Sequence, residues 1–194
     1  MEQIQDSPAL QYSTPPTLHS SPRMKSRKVY SSFSDIDWDN WVPTERATLL
    51  FVIRDGQILL IHKKKGLGAG KINGPGGRIE DGETPIEAAV REVEEELLVT
   101  PTGVKTAGEL RFQFVDGFSI HGYVFTAEDC DGEPQETDEA TPIWTSLENI
   151  PFDSMWADDI VWIPLMLDGR KFSGRFLFDE DTMLAHEVDT EGLP

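Results

Sequence analysis

Three glutamates spaced to share one helical arc, Glu92, Glu95 and Glu96, are the residues in this chain best suited to do chemistry. Side chains three and four apart on a helix lie roughly 5–6 Å apart at Cβ, so these carboxylates repel one another, and an isolated helix loses a few tenths of a kcal/mol per pair. A solvated acidic face is the ordinary reading of such a run. The neighbouring residues argue for a ligand instead. Gly76 and Gly77 let the backbone come close to a bound group, Glu83 adds an acid where a loop meets the helix, and Arg91 is spaced to pair with Glu87 or Glu83. A loop carbonyl with several carboxylate oxygens, completed by water, is how proteins hold Mg²⁺ beside a phosphorylated substrate. The same oxygen ligands also suit Mn²⁺.

These residues need a helix and a sheet to hold them. Thr84-Pro85-Ile86-Glu87 reads as a helix start, with Thr84 as cap, Pro85 in the first turn and Glu87 reaching back as a capping box. The helix is predicted to run to about Val99 and to bury an arc of Ile86, Ala89, Val90, Val93 and Leu97, with the three carboxylates on its flank. Thr48 to Arg54 and Gln57 to His62, joined by Asp55-Gly56, read as a first hairpin. Glu109 to Val115 and Phe118 to Ala127, split by Asp116-Gly117, read as a second, with Phe112 and Phe114 on one face. An acidic loop from Glu128 to Glu139, a short strand Ile143 to Thr145, a helix Ser154 to Leu167 and a hairpin of Phe172 to Phe178 with Met183 to Val188 complete the domain. This order predicts an α/β fold, a mixed β-sheet between helices.

Composition narrows the partners. At 194 residues with 38% hydrophobic content, the chain suits one domain with a real core plus a tail. Lys and Arg total 17 against 35 Asp and Glu, a net charge of −18, which argues against a nucleic-acid polymer and leaves room for a single nucleotide delivered with metal. The lone Cys130 excludes an internal disulfide and fits a reducing compartment, so a cytoplasmic monomer is expected. No apolar run is long enough to span a membrane. Residues 1–40 are rich in Ser and Pro without apolar periodicity and read as a disordered tail, with Trp38 and Trp41 able to dock it onto a domain at 41–190. The acid-free stretch between Ser7 and Ser34 faintly resembles a transit peptide, but a solvated tail is the better reading. Lys63, Lys64 and Lys65 open a glycine-rich stretch, either as an exposed loop or as cations that neutralise phosphate.

Gly77, Glu83, Arg91, Glu92, Val93, Glu95, Glu96 and Val99 reproduce the signature of the Nudix hydrolases, and with so many fixed positions the resemblance is specific. It implies an α/β/α sandwich and metal-dependent hydrolysis of nucleoside diphosphates linked to another group. Metal would be held by the Gly76 carbonyl, Glu92, Glu95 and Glu96, with Glu139 matching the position from which the family's acidic loop adds a carboxylate. Either Glu92 or Glu139 takes the proton of the attacking water. The family usually has glycine where this chain has Leu98, and a leucine disfavours the left-handed cap that ends the helix there.

Outside the signature, the run Lys63 to Gly74 and the run Ile150 to Asp159, with its Met-Trp-Ala-Asp-Asp element, resemble the branch of the family that hydrolyses oxidised purine nucleoside triphosphates. The likeness spans about Thr48 to Val188 and none of the tail. It implies a base-recognition set of Asn73, Trp156, Asp158 and Asp159, with Leu67 and Phe112 lining the pocket and Lys63 near the phosphates. An indole face stacks on a purine, and Asn73 offers a donor and an acceptor. Two adjacent carboxylates in a closed pocket cannot both ionise cheaply, so one keeps a proton and can donate. Without the resemblance, Asp158 and Asp159 read as acids favouring a helix N-terminus, and Trp156 as core. Ile72, Pro75 and Leu67 stand where that branch has aromatic residues. The resemblance therefore implies hydrolysis of 8-oxo-dGTP or 2-hydroxy-dATP to monophosphate and pyrophosphate. The alternatives are a Nudix enzyme for another nucleoside diphosphate derivative and a non-catalytic nucleotide-binding module.

Overall fold

The computed structural model describes residues 29–190. Strands β1 (Glu45–Arg54), β2 (Gln57–Lys63) and β3 (Ile72–Asn73) precede helix α1 (Pro85–Leu97). They are followed by β4 (Thr100–Thr102), β5 (Lys105–Phe114), β6 (Ser119–Ala127), β7 (Asp129–Asp131), β8 (Ala140–Ser146), α2 (Asp159–Leu167), β9 (Phe172–Asp179) and β10 (Thr182–Asp189). The main sheet runs β10-β9-β5-β6-β1-β2, and β2 then pairs with both β3 and β8. It is mixed: β1 lies parallel to β6 and β5 parallel to β9, while the hairpin pairs are antiparallel.

The alternation along β1 sorts the two sides of the sheet. Leu50 and Val52 face α1 and pack with Ala89, Val93 and Leu97, whereas Phe51 packs with Trp162, Ile163 and Met166 of α2. The expected α/β/α arrangement of a mixed sheet between helices is therefore present. All the expected hairpins form, although β1 and β2 stay paired only at Ile53↔Ile58 and Arg54↔Gln57. Beyond those pairs the strands part, and the site described below lies where β1, β2 and the glycine loop approach one another.

Several local expectations are corrected. Helix α1 stops at Leu97, and Leu98 adopts the left-handed conformation (φ 58°, ψ 33°), donating its N–H to the Glu94 carbonyl at 3.0 Å. The missing glycine changes the strain of this cap, not its geometry. Ile86, read as core, is 43% exposed, and Glu96, read as flank, is wholly buried. The acidic loop contains β7, which pairs with β4. Helix α2 begins at Asp159, because the chain before it is a 3-10 turn at Phe152–Ser154 followed by extended Met155.

The expected tail lies mostly outside the described residues, but its final part is built into the domain. After a 3-10 turn at Phe33–Asp35, Ile36 and Trp38 are buried against Leu177 of β9. Trp38 is flanked by Phe33 and Trp41, with ring centroids 5.2 and 5.9 Å away. Trp41 donates its indole N–H to Gln113 Oε1 at 2.9 Å. Burying one large apolar side chain stabilises by about 1.5–3 kcal/mol. Deletion of residues 1–40 should therefore lower the unfolding free energy by about 2–5 kcal/mol, while deletion of 1–28 removes none of these contacts. Chemical denaturation of the two truncations checks this, and equal stability would show that the Trp38 cluster adds nothing.

Candidate active site

The glycine loop, α1 and the end of β2 converge on one cluster of charge. Arg91 organises its outer half. Its guanidinium grips Glu83 with two bonds of 2.7 and 2.9 Å, bonds Glu92 at 2.9 Å and Glu95 at 3.0 Å, and donates to the Arg78 carbonyl at 3.0 Å. The expected partner Glu83 is found. Glu87 instead completes the capping box, accepting from the Thr84 N–H at 2.9 Å. Arg91 holds the Glu83 carboxyl down to about 2. Burial pushes Glu92 and Glu96 up, against the pull of Arg91 and Lys63 respectively.

The inner half is built on backbone that only glycine allows. Gly76 has φ 155°, and a Cβ there would lie 2.0 Å from the Thr48 carbonyl oxygen. A Cβ on Gly77 would lie 2.3 Å from Glu92 Oε2, so the Glu92 carboxylate rests directly on this peptide. The Gly76 N–H donates to Glu96 Oε2 at 2.9 Å. Lys63 Nζ donates both to Glu96 Oε1, at 2.8 Å, and to the Gly76 carbonyl, at 3.2 Å.

Gly76, Glu92 and Glu96 thus come together as expected, Glu95 sits on the solvent side, and Lys63 is on the Glu96 carboxylate and the Gly76 carbonyl where phosphate contact was expected. Glu139 is exposed, and its backbone carbonyl accepts from the Lys64 N–H at 2.8 Å. The strand register places the next residue, Ala140, opposite Lys63. Among the described residues, no three Asp, Glu, His or Cys side chains form a ready-made metal centre. The donor set still suits a hard cation: the Gly76 carbonyl and one Glu96 carboxylate oxygen already converge on a positive charge, the Lys63 ammonium.

A second group lies at the start of α2. Asp158 and Asp159 are each 3% exposed. Asp158 occupies the N-cap position but makes no side-chain cap bond, accepting instead from the Trp162 indole N–H at 2.8 Å. Asp159 accepts from the Trp156 N–H at 3.1 Å. Burial pushes Asp158 up to about 6 and Asp159 well above the usual carboxylate range, with Asp158 itself adding to the second shift. Helix capping does not account for the pair.

Trp156 meets Phe178 edge-on at 6.0 Å, and Phe178 also packs beside Phe112, 6.2 Å away. Phe112 stacks on Phe176 at 5.3 Å. Gly68 touches both the Trp156 edge and Asn73, since a Cβ there would lie 2.9 Å from Trp156 Nε1 and 3.6 Å from Asn73 Nδ2. Asn73 turns its Oδ1 to the Gly74 N–H at 2.9 Å, leaving its amide nitrogen beside Gly68. Leu67 is 52% exposed.

Sequence reasoning missed three residues here. Phe178 bridges Trp156 and Phe112, and the alternation of β9 is the signal that could have placed it. Lys71 holds its ammonium 5.0 Å from the centre of the Trp156 ring and 2.9 Å from Asp181 Oδ2. The buried Thr48 hydroxyl has no partner among the described residues, although the Thr48 N–H donates to the Gly77 carbonyl at 2.8 Å.

This fold, with the acidic helix and the glycine loop at its centre, is that of a phosphate-handling hydrolase, and the chain belongs to the Nudix family: the NUDIX domain matches residues 43–166. Hydrolases of this family generally use divalent metal ions. The oxidized purine nucleoside triphosphate hydrolase of Danio rerio is 42% identical over 144 residues, covering 73% of this chain and 92% of that protein. The protein of the same name from Mus musculus is 39% identical over 148 residues, covering 74% and 95%. Among solved structures, the MutT protein of Bacillus halodurans superposes with a TM-score of 0.67 at 24% identity, covering 76% of this chain and 99% of that one, a likeness of fold. No helix among the described residues is long and apolar enough to cross a membrane.

Proposed function

We propose that this chain is a Mg²⁺-dependent pyrophosphohydrolase that converts oxidised purine nucleoside triphosphates, of the 8-oxo-dGTP and 2-hydroxy-dATP type, to the monophosphate and pyrophosphate, clearing damaged precursors from the nucleotide pool. It acts as a cytoplasmic monomer, and Mn²⁺ can replace Mg²⁺. The observation that carries the substrate is the buried Asp158–Asp159 pair beside Trp156, two acids with raised pKa at a helix start where Asp158, at the N-cap, makes no side-chain cap bond. A protonated carboxyl beside an ionised one offers a donor and acceptors to a purine edge. The names of the relatives, oxidized purine nucleoside triphosphate hydrolase, support the same substrate.

The chain's own groups divide the work. Trp156 stacks on the base and Phe112 and Leu67 bound the pocket, while Asn73 reads a further edge of the base. Gly76, Glu92, Glu95, Glu96 and Glu139 would hold the metal, which polarises phosphate oxygens and lowers the pKa of bound water when present. Arg91 keeps Glu83, Glu92 and Glu95 in place through four of its N–H bonds and anchors itself to the Arg78 carbonyl with the fifth. The binding-module alternative rested on Leu98, and that motive falls because the helix cap forms without glycine.

Replacing either Asp158 or Asp159 with Asn should raise KM for oxidised triphosphates, by different amounts for 8-oxo-dGTP and 2-hydroxy-dATP. A lost charge-assisted hydrogen bond costs on the order of 1.5–3 kcal/mol, or about tenfold to a hundredfold in kcat/KM. Equal, small losses on oxidised and normal triphosphates would remove these acids from base recognition. The same pair gives a stability signature. A carboxyl whose folded pKa is raised contributes stability that is full below its unfolded value and is lost as pH rises through the folded value. For Asp158 that window runs from about 4 to beyond about 6. Measured against Asp158→Asn by urea unfolding, wild type should lose on the order of 1–3 kcal/mol between about pH 4 and pH 8. A pH-independent difference would show that the pair titrates normally.

A further inference from the structure

We propose that the Lys63 ammonium is a tethered cation that occupies the divalent-metal position of this site and is exchanged for the metal when it binds. The inference rests on the reading of Gly76 and Glu96 as metal donors. Lys63 Nζ makes its two short contacts to those donors, Glu96 Oε1 at 2.8 Å and the Gly76 carbonyl at 3.2 Å. The Glu96 side chain is 1% exposed and its other oxygen is taken by the Gly76 N–H, so among the described residues its only cationic contact is this lysine. A carboxylate that deep in the protein needs a countercharge to stay ionised. The neighbouring Lys64 does not compete, being engaged by Glu136 and the Thr137 carbonyl.

The backbone of Lys63 is fixed, and among the described residues its side chain is held only at the ammonium. Its N–H donates to the Lys71 carbonyl at 3.0 Å, its carbonyl accepts from the Gly70 N–H at 2.8 Å, and β8 holds it in register with Ala140. The Lys63 side chain is 16% exposed, so one edge already faces water. Exchange therefore needs a rotamer change and no movement of the loop. An ammonium leaves as a divalent cation arrives, the carboxylates stay neutralised throughout, and the displaced charge becomes available to substrate phosphates. The exchange also sets the metal affinity, because apparent binding is weakened by the fraction of molecules in which the ammonium holds the position.

Full-length Lys63→Met, without nucleotide, tests this by thermal unfolding and by calorimetric titration with Mg²⁺. The metal-free Tm should fall by about 5–15 °C, since a buried charge loses its partner. Mg²⁺ should restore more of that Tm than it adds to wild type, and its Kd should tighten about tenfold, as expected where the ammonium holds the position nine-tenths of the time. Unchanged or weaker Mg²⁺ binding in the variant overturns the exchange. Failure of wild type to take up Mg²⁺ or Mn²⁺ overturns the metal-site reading itself. Should Lys63→Met not fold, amine labelling of wild type read by mass spectrometry decides: Mg²⁺ should speed modification of Lys63 and leave the exposed Lys65 unchanged. A Lys63 rate that stays constant or falls as metal binds contradicts the proposal.

Discussion

Glu96→Gln should lower kcat about a hundredfold or more while the protein remains folded. Glu96 is the one carboxylate of the cluster that is wholly buried, and it joins the Gly76 N–H to a cation at the same point. Glutamine has the same shape and its carbonyl can still accept from Gly76, so the loop stays in place. The charge that would hold a metal is gone, and metal stabilisation of a phosphoryl transition state contributes several kcal/mol. Folding changes little, because the neutral side chain escapes the burial that pushes the Glu96 carboxyl up and the freed Lys63 can turn to water. Near-normal kcat at saturating Mg²⁺, in a variant with a native circular dichroism spectrum, would remove Glu96 from the metal site.

The second large effect separates two adjacent glycines. Gly76→Ala should destabilise the protein by more than about 3 kcal/mol, or prevent soluble expression, because the added Cβ meets the backbone carbonyl of Thr48, which cannot step aside. Gly77→Ala places its Cβ against the Glu92 carboxylate, a side-chain end that can rotate away. That variant should fold and lose turnover, since Glu92 leaves both Arg91 and the loop. Urea unfolding and steady-state kinetics on the pair give the check: equal stability, or an active Gly77→Ala, would show that the loop is not held as tightly as its contacts imply.

The acidic cluster was legible because its residues are local. Thr84 to Leu97 is one helix whose cap, period and charge lie in consecutive sequence, and the hairpins announce themselves through Asp55-Gly56 and Asp116-Gly117. What the sequence hid depended on contacts distant in the chain. The burial of Glu96 and exposure of Ile86 follow from where α1 meets β1 and the glycine loop, and helix periodicity alone cannot rotate the arc by the required fraction of a turn. Leu98 reached a left-handed cap because Leu97 and Val99 are both buried and fix the chain on either side. Trp38 read as a tail residue able to dock, as it does, but where it docks was hidden because its partner, Leu177, lies at the other end of the sequence. The Asp158–Asp159 pair is named by the family resemblance alone, since local sequence reads it as acids at a helix N-terminus and carries no sign of the Trp162 indole and Trp156 N–H that hold the two carboxylates.

The most direct test is a nucleotide panel with Mg²⁺, following pyrophosphate and monophosphate release from 8-oxo-dGTP, 2-hydroxy-dATP, dGTP, dATP and representative nucleoside diphosphate derivatives. The expected result is that an oxidised purine triphosphate gives the highest kcat/KM, at least about tenfold above its normal counterpart, a gap that one additional charge-assisted hydrogen bond in the Asp158–Asp159 pocket can supply. A higher kcat/KM on an unoxidised triphosphate or on a nucleoside diphosphate derivative, or no pyrophosphate release from any triphosphate, would contradict it.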